Sequence, residues 1–180
     1  MKRSLSGVVL LGLVILGYGC QPQPSVLTDS QKAAVADSAK AVAHEVARGV
    51  QTLNATAVLA RCSSDPDARF LENGFLYSSY AAFRDTLHAD YATLSPVSYQ
   101  IDGMDVVVLD ADAAAVTEWF HFAVQTKAGE EVKGQGIASM VVQKRQGRWQ
   151  VIQWHESELN NSELETAEAG LPAKVAPAKK

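Results

Sequence analysis

His121 and His155 are the polar side chains with the most chemistry to offer. An imidazole titrates near neutral pH, so two of them on one concave sheet face would make an acid/base pair or hold a polar ligand group. Tyr77 is the candidate donor beside them. The plainer alternative is a pair of structural histidines satisfied by Ser157, Gln153 or a tyrosine hydroxyl. No further His or Cys ligand accompanies them at a suitable spacing, so no metal is expected. Nor is a cofactor expected, for there is no Gly-rich phosphate loop and no Gly-x-Ser-x-Gly elbow. Tyr77, Tyr80, Phe83, Tyr91 and Trp119 add aromatic surface for a small apolar or ring-bearing ligand, or simply for a core. The expected pocket is therefore Tyr77, Tyr80, Tyr91, Trp119, His121, His155 and Ser157. Alternation along a strand puts Trp119 and His121 on one face and Glu118 with Phe120 on the other. By that reading no carboxylate falls among the pocket residues, and the Phe120 face is a candidate dimer surface.

Helices and strands must position these groups. Ala34, Val35, Ala39, Val42, Val46 and Val50 recur at helical spacing behind the capping residues Thr28 and Asp29. Asn54 can cap a short second helix through Ala60, and Ser63-Ser-Asp-Pro-Asp67 breaks it. A short strand is predicted over Arg69–Glu72, closed by the turn pair Asn73-Gly74. A further helix is predicted over Ser78–Leu94, ended by Pro96. From Val97 the apolar period changes to two, giving Val97–Ile101, Asp105–Leu109, Val116–Thr126, Val132–Lys144 and Arg148–Ser157, joined by short turns. Helices followed by such strands imply an α+β domain, an antiparallel meander with helices on one face.

The chain's first twenty residues have the layout of an export signal. Lys2 and Arg3 precede an uncharged run from Gly7 to Tyr18, short for a transmembrane helix and right for a signal peptide. Gly17-Tyr-Gly-Cys20 resembles the lipobox of bacterial lipoproteins, although that motif usually has Leu, Val or Ile where Gly17 stands. The resemblance implies cleavage before Cys20, lipidation of its thiol, of which palmitate would form part, and residence in the cell envelope. In a Gram-negative cell, Gln21 after the cysteine suggests the periplasmic side of the outer membrane. Residues 20–27 then form a Pro-rich tether. Loss of Lys2 and Arg3 takes the formal charge from −4 to −6, which argues against nucleic acid as a partner. Lipidation of Cys20 leaves Cys62 without a disulfide partner, at the end of an apolar helical face where burial is expected. Residues 159–180 lose aromatics and gain Glu, Ala, Pro and Lys, the composition of a disordered tail.

Residues 28–158 remain as one domain. Within it, Gly147-Arg-Trp-Gln-Val-Ile-Gln-Trp-His155-Glu-Ser157 resembles the closing strand of nuclear transport factor 2-like domains of the SnoaL-like type. The order of elements also resembles that cone-shaped fold, in which N-terminal helices pack on a curved antiparallel sheet. The family includes isomerases, hydrolases, dehydratases, oligomerisation modules and ligand carriers, so resemblance alone does not choose an activity. It implies a homodimer formed through a sheet face. Together these readings describe an envelope lipoprotein acting as a small-ligand-binding or dimeric assembly module. The alternative is a small isomerase or hydrolase using pocket His and Tyr residues.

Overall fold

Thr28 starts the fold as its chemistry predicts. Its hydroxyl accepts from the Gln31 N–H while the Gln31 side chain accepts from the Thr28 N–H. This capping box occupies backbone donors that the first turn leaves free. Helix α1 (Asp29–Gln51) follows in this computed structural model, which describes residues 26–160. The expected leader and most of the tether lie outside the described residues, as does the tail from residue 161. Val35, Ala39, Val42, Ala43 and Val46 form the buried stripe of α1, and Lys32, Asp37 and Lys40 stay exposed. Asn54 caps the short helix α2 (Ala55–Leu59) by accepting from the Ala57 N–H. The two helices touch at Gly49, where a Cβ would come within 2.6 Å of Val58 Cγ2 and 2.9 Å of the Val58 nitrogen.

Beyond the Pro66 break come β1 (Arg69–Glu72), β2 (Phe75–Leu76) and α3 (Tyr80–Tyr91). Asn73 and Gly74 both take positive φ, 47° and 82°, which makes the tight turn between the first two strands. The long strands are β3 (Leu94–Asp110), β4 (Ala113–Thr126), β5 (Glu131–Arg145) and β6 (Arg148–Asn160). They lie in the order β2-β1-β6-β5-β4-β3. The helices pack on one face of this sheet, as the sequence implies, but the sheet is mixed rather than antiparallel. β1 runs parallel to β6, with Leu71 opposite His155 and Glu72 opposite Glu156. A pairing between segments so far apart in sequence leaves no local turn signal.

Two further expectations change. The third helix ends at Tyr91, and Leu94 begins β3, which continues through Pro96 as a single strand. Proline is tolerated there because β3 is an edge strand. Three register shifts, at Pro96/Ser98, Ile101/Gly103 and Val108/Asp110, accompany its length, and such bulges bend and twist a strand. The result is a strongly curled sheet whose concave side holds α1. Phe70, Val116, Phe120, Met140, Val142 and Val151 are almost fully buried there. At the far end, Arg145 grips Asp65 at 2.7 Å and Asp67 through two contacts of 2.8 and 2.9 Å. That fork ties the β5–β6 hairpin to the loop after α2. Cys62 is buried as expected, and burial pushes its thiol up to about 12.

Candidate acidic pocket

One bulge in β6 determines which side chains meet the cavity. Val142 pairs with Val151 and Val141 with Gln153, leaving Ile152 as the extra residue. Val151 and Trp154 therefore both face the core, although strict alternation would separate them. Past the bulge, Trp154, Glu156 and Glu158 point to the concave side, while Gln153, His155, Ser157 and Leu159 have exposed side chains on the convex side. In β4 the expected alternation holds, but the two faces exchange roles. Val116, Glu118 and Phe120 are buried on the concave side, and Trp119 and His121 are exposed on the other.

The concave face, the end of α1, α3 and β1 border a partly open cavity of about 780 Å³. Phe70, Tyr77, Phe83, Tyr91, Tyr99, Phe122 and Trp154 give it aromatic walls, and Glu72, Asp90, Glu156 and Glu158 give it carboxylates. No Lys, Arg or His is among the described residues lining it. The walls are braced by ring contacts: Phe70 stacks on Phe83 at 4.3 Å between centroids, and Trp154 meets Phe83 edge-on at 6.1 Å. Asn73 fixes the rim. Its N–H donates to the Glu156 carbonyl at 2.9 Å, and its side-chain oxygen accepts from the Glu158 N–H at 2.8 Å.

The sequence-derived candidates divide between the two sides. Tyr77 and Tyr91 line the cavity. Ser157 also borders it, although its side chain is on the exposed alternation. Tyr80 packs against the core, its hydroxyl 3.4 Å from the Leu59 carbonyl, and does not border the cavity. Trp119, His121 and His155 are on the convex face, so the expected concave histidine pair is not formed. His121 Nδ1 instead meets the Asp102 carboxylate at 2.9 and 3.0 Å. Two features of the sheet account for the difference: the concave side of β4 is its Phe120 face, and the Ile152 bulge shifts β6 by one position.

Carboxylates take the place expected for histidines. Tyr77 donates to Glu72 at 2.7 Å and the Trp154 indole N–H donates to Glu156 at 3.1 Å. Burial pushes Glu156 well above the ordinary carboxylate range, and the field of Glu158 and its hydrogen bond reinforce the shift. Glu158 is also raised by burial, although the hydrogen bond from Glu156 opposes this. The pair can thus share a proton, with neutral Glu156 donating to its neighbour. Glu118 lies in the same row, since it pairs with Ala138, which pairs with Glu156. It is 1% exposed, and burial lifts it to about 7 against a Tyr99 hydrogen bond of 3.4 Å that lowers it. Its Oε2 has no partner among the described residues. The signal that could have found this site is the period-two series Trp154, Glu156, Glu158.

An α+β cone enclosing a ligand-sized cavity is a class of protein, and the family follows from sequence. The SnoaL-like domain model matches residues 39–160, and the chain belongs to that family. Its fold is nuclear transport factor 2-like. A nuclear transport factor 2-like superfamily protein from Salmonella enterica serovar Typhimurium superposes with a TM-score of 0.62 at 15% identity, covering 86% of this chain and 99% of that one. A ketosteroid isomerase-like protein from Erwinia carotovora atroseptica gives a TM-score of 0.61 at 18% identity, covering 73% and 98%. These likenesses concern the fold. No curated protein matches the chain by sequence.

Proposed function

We propose that the domain is a small-ligand-binding module held at a membrane of the cell envelope by lipid on Cys20. The cavity carries this reading. About 780 Å³ with aromatic walls is the size and character of a site for a drug-sized apolar molecule. The sequence before Cys20 supports the anchor, and the convex face supports a homodimer. Val107, Ile137 and Trp119 are 62%, 56% and 40% exposed on that face, an apolar surface that a second copy would cover.

Native mass spectrometry of protein purified from its own host membranes tests the cavity. The expected result is a retained small molecule that is missing from Val124→Trp, a substitution at the cavity wall. An unliganded mass in both proteins, with no ligand bound on re-addition of a host extract, overturns the reading. Membrane fractionation tests the anchor, since Cys20→Ser should move the protein to the soluble fraction.

A second reading is favoured by the Glu156 and Glu158 pair. Two coupled carboxylates in an apolar cavity can take and return a proton, as isomerisation next to a carbonyl requires. In this version the base is a glutamate and Tyr77, Tyr91 or Tyr99 orients the substrate. Exchange of α-protons with deuterated water in ring-bearing ketones, followed by NMR, tests it. Exchange by the wild type that is lost in Glu156→Gln supports catalysis, and no exchange across the panel leaves the binding module.

A further inference from the structure

We infer that the cavity selects an organic cation, a protonated amine or quaternary ammonium carried on an apolar, ring-bearing body. This rests on the ligand-binding reading and specifies the charge of the ligand. Four carboxylates, Glu72, Asp90, Glu156 and Glu158, border a space whose described lining has no basic side chain. An anionic ligand would meet only repulsion there. A wholly apolar ligand would displace water from those carboxylates without offering them a donor, which costs free energy.

The second observation is independent of that group. Glu118 is 1% exposed and its Oε2 has no hydrogen-bond partner among the described residues. Its side chain lies on the same concave side, two strands across from Glu156 and behind the cavity lining, and its other oxygen meets the hydroxyl of Tyr99, a wall of the cavity. Neutral below about pH 7 and ionised above it, this carboxyl adds its negative charge behind the cavity wall as pH rises. The walls provide the complementary attraction, because Tyr77, Tyr91, Tyr99, Phe122 and Trp154 present aromatic rings to the space, and ring faces attract cations. A metal ion is a poorer fit. No three His, Cys, Asp or Glu among the described residues converge as a metal site would require.

Binding of such a cation should be linked to protons. Glu72 on β1, Asp90 and Tyr91 on α3, Tyr77 before α3, Tyr99 on β3, Glu118 on β4 and Glu158 on β6 are the titratable groups around Glu156. Every charge among them is negative, so the empty cavity retains protons that an arriving cation displaces. Affinity for the cation therefore rises with pH while the carboxylates ionise.

Isothermal titration of the full chain with three probes of nearly equal shape tests the inference: 2-phenylethylammonium, 2-phenylethanol and 3-phenylpropionate. At pH 7.5 the ammonium should bind roughly tenfold more tightly than the alcohol, a difference of about 1.4 kcal/mol, and the propionate most weakly. The preference should shrink at pH 5. In the double variant Glu156→Gln, Glu158→Gln it should fall towards unity while the alcohol still binds. Alcohol bound as tightly as ammonium by the wild type overturns the cation inference and leaves the apolar-ligand reading intact. No binding of any probe to folded wild type overturns both.

Discussion

The two faces of one sheet divide the chemistry of this protein. The concave face carries Trp154 and Glu156 on the wall of a cavity and buries Glu118 and Phe120 beside it, whereas the convex face exposes His121, His155 and Trp119. Neighbours in sequence thus live in opposite environments: Glu156 is forced towards its neutral form, and His155 next to it meets solvent. A residue's type suggests what it could do, but its face determines whether it meets a ligand.

Substitutions can break or sharpen that contrast. The largest expected effect is Phe120→Ala on the concave side, which should cost about 3–5 kcal/mol in urea denaturation because the ring is 1% exposed. A loss below ~1 kcal/mol would mean that this face is not the core. Next is Glu118→Gln. The folded protein holds the Glu118 proton up to about pH 7, against 4.5 for the ordinary group. The resulting stability is therefore present below pH 4.5 and lost as pH rises through about 7. At about 1.4 kcal/mol per pH unit, the loss approaches roughly 3 kcal/mol. Glutamine cannot ionise, so the variant should be the more stable protein at pH 8 and nearly equal to wild type at pH 4. Denaturation at the two pH values checks the sign.

The convex face should respond in other measurements. Ile137→Lys should shift the sedimentation coefficient from dimer to monomer without altering affinity for a cavity ligand. A monomeric wild type would refute the proposed dimer. The smallest effects belong to the histidines. His155→Ala should change stability by less than about 0.5 kcal/mol, as exposed substitutions usually do. His121→Ala loses only an exposed pair with Asp102, worth at most ~1 kcal/mol. Neither should change ligand binding, and a tenfold loss in either would return the histidines to the pocket.

Much of the fold was legible because its signals are local. The Thr28 cap, the apolar stripe of α1, the Asn54 cap and the turn at Asn73-Gly74 each need only a few adjacent residues. The continuous β3 was harder, since Pro96 reads as a terminator until the strand is known to lie at an edge. The parallel union of β1 with β6 depends on residues more than eighty positions apart. The pocket is less legible for a related reason. Type and alternation group Trp119, His121 and His155, and alternation carries no mark of which side is concave or where Ile152 bulges. Tyr77 and Tyr91 did reach the cavity, because they lie on and beside α3 rather than on a strand whose facing must be guessed.

The Ile152 bulge also has an evolutionary meaning. β6 carries two chemical alphabets interleaved, carboxylates at Glu156 and Glu158 and hydrogen-bonding or imidazole groups at Gln153, His155 and Ser157. Inserting or removing one residue between Val151 and Trp154 would turn the second set inward and the first outward. A single codon gained or lost could therefore replace an acidic pocket by a histidine pocket, with the strand's composition otherwise unchanged.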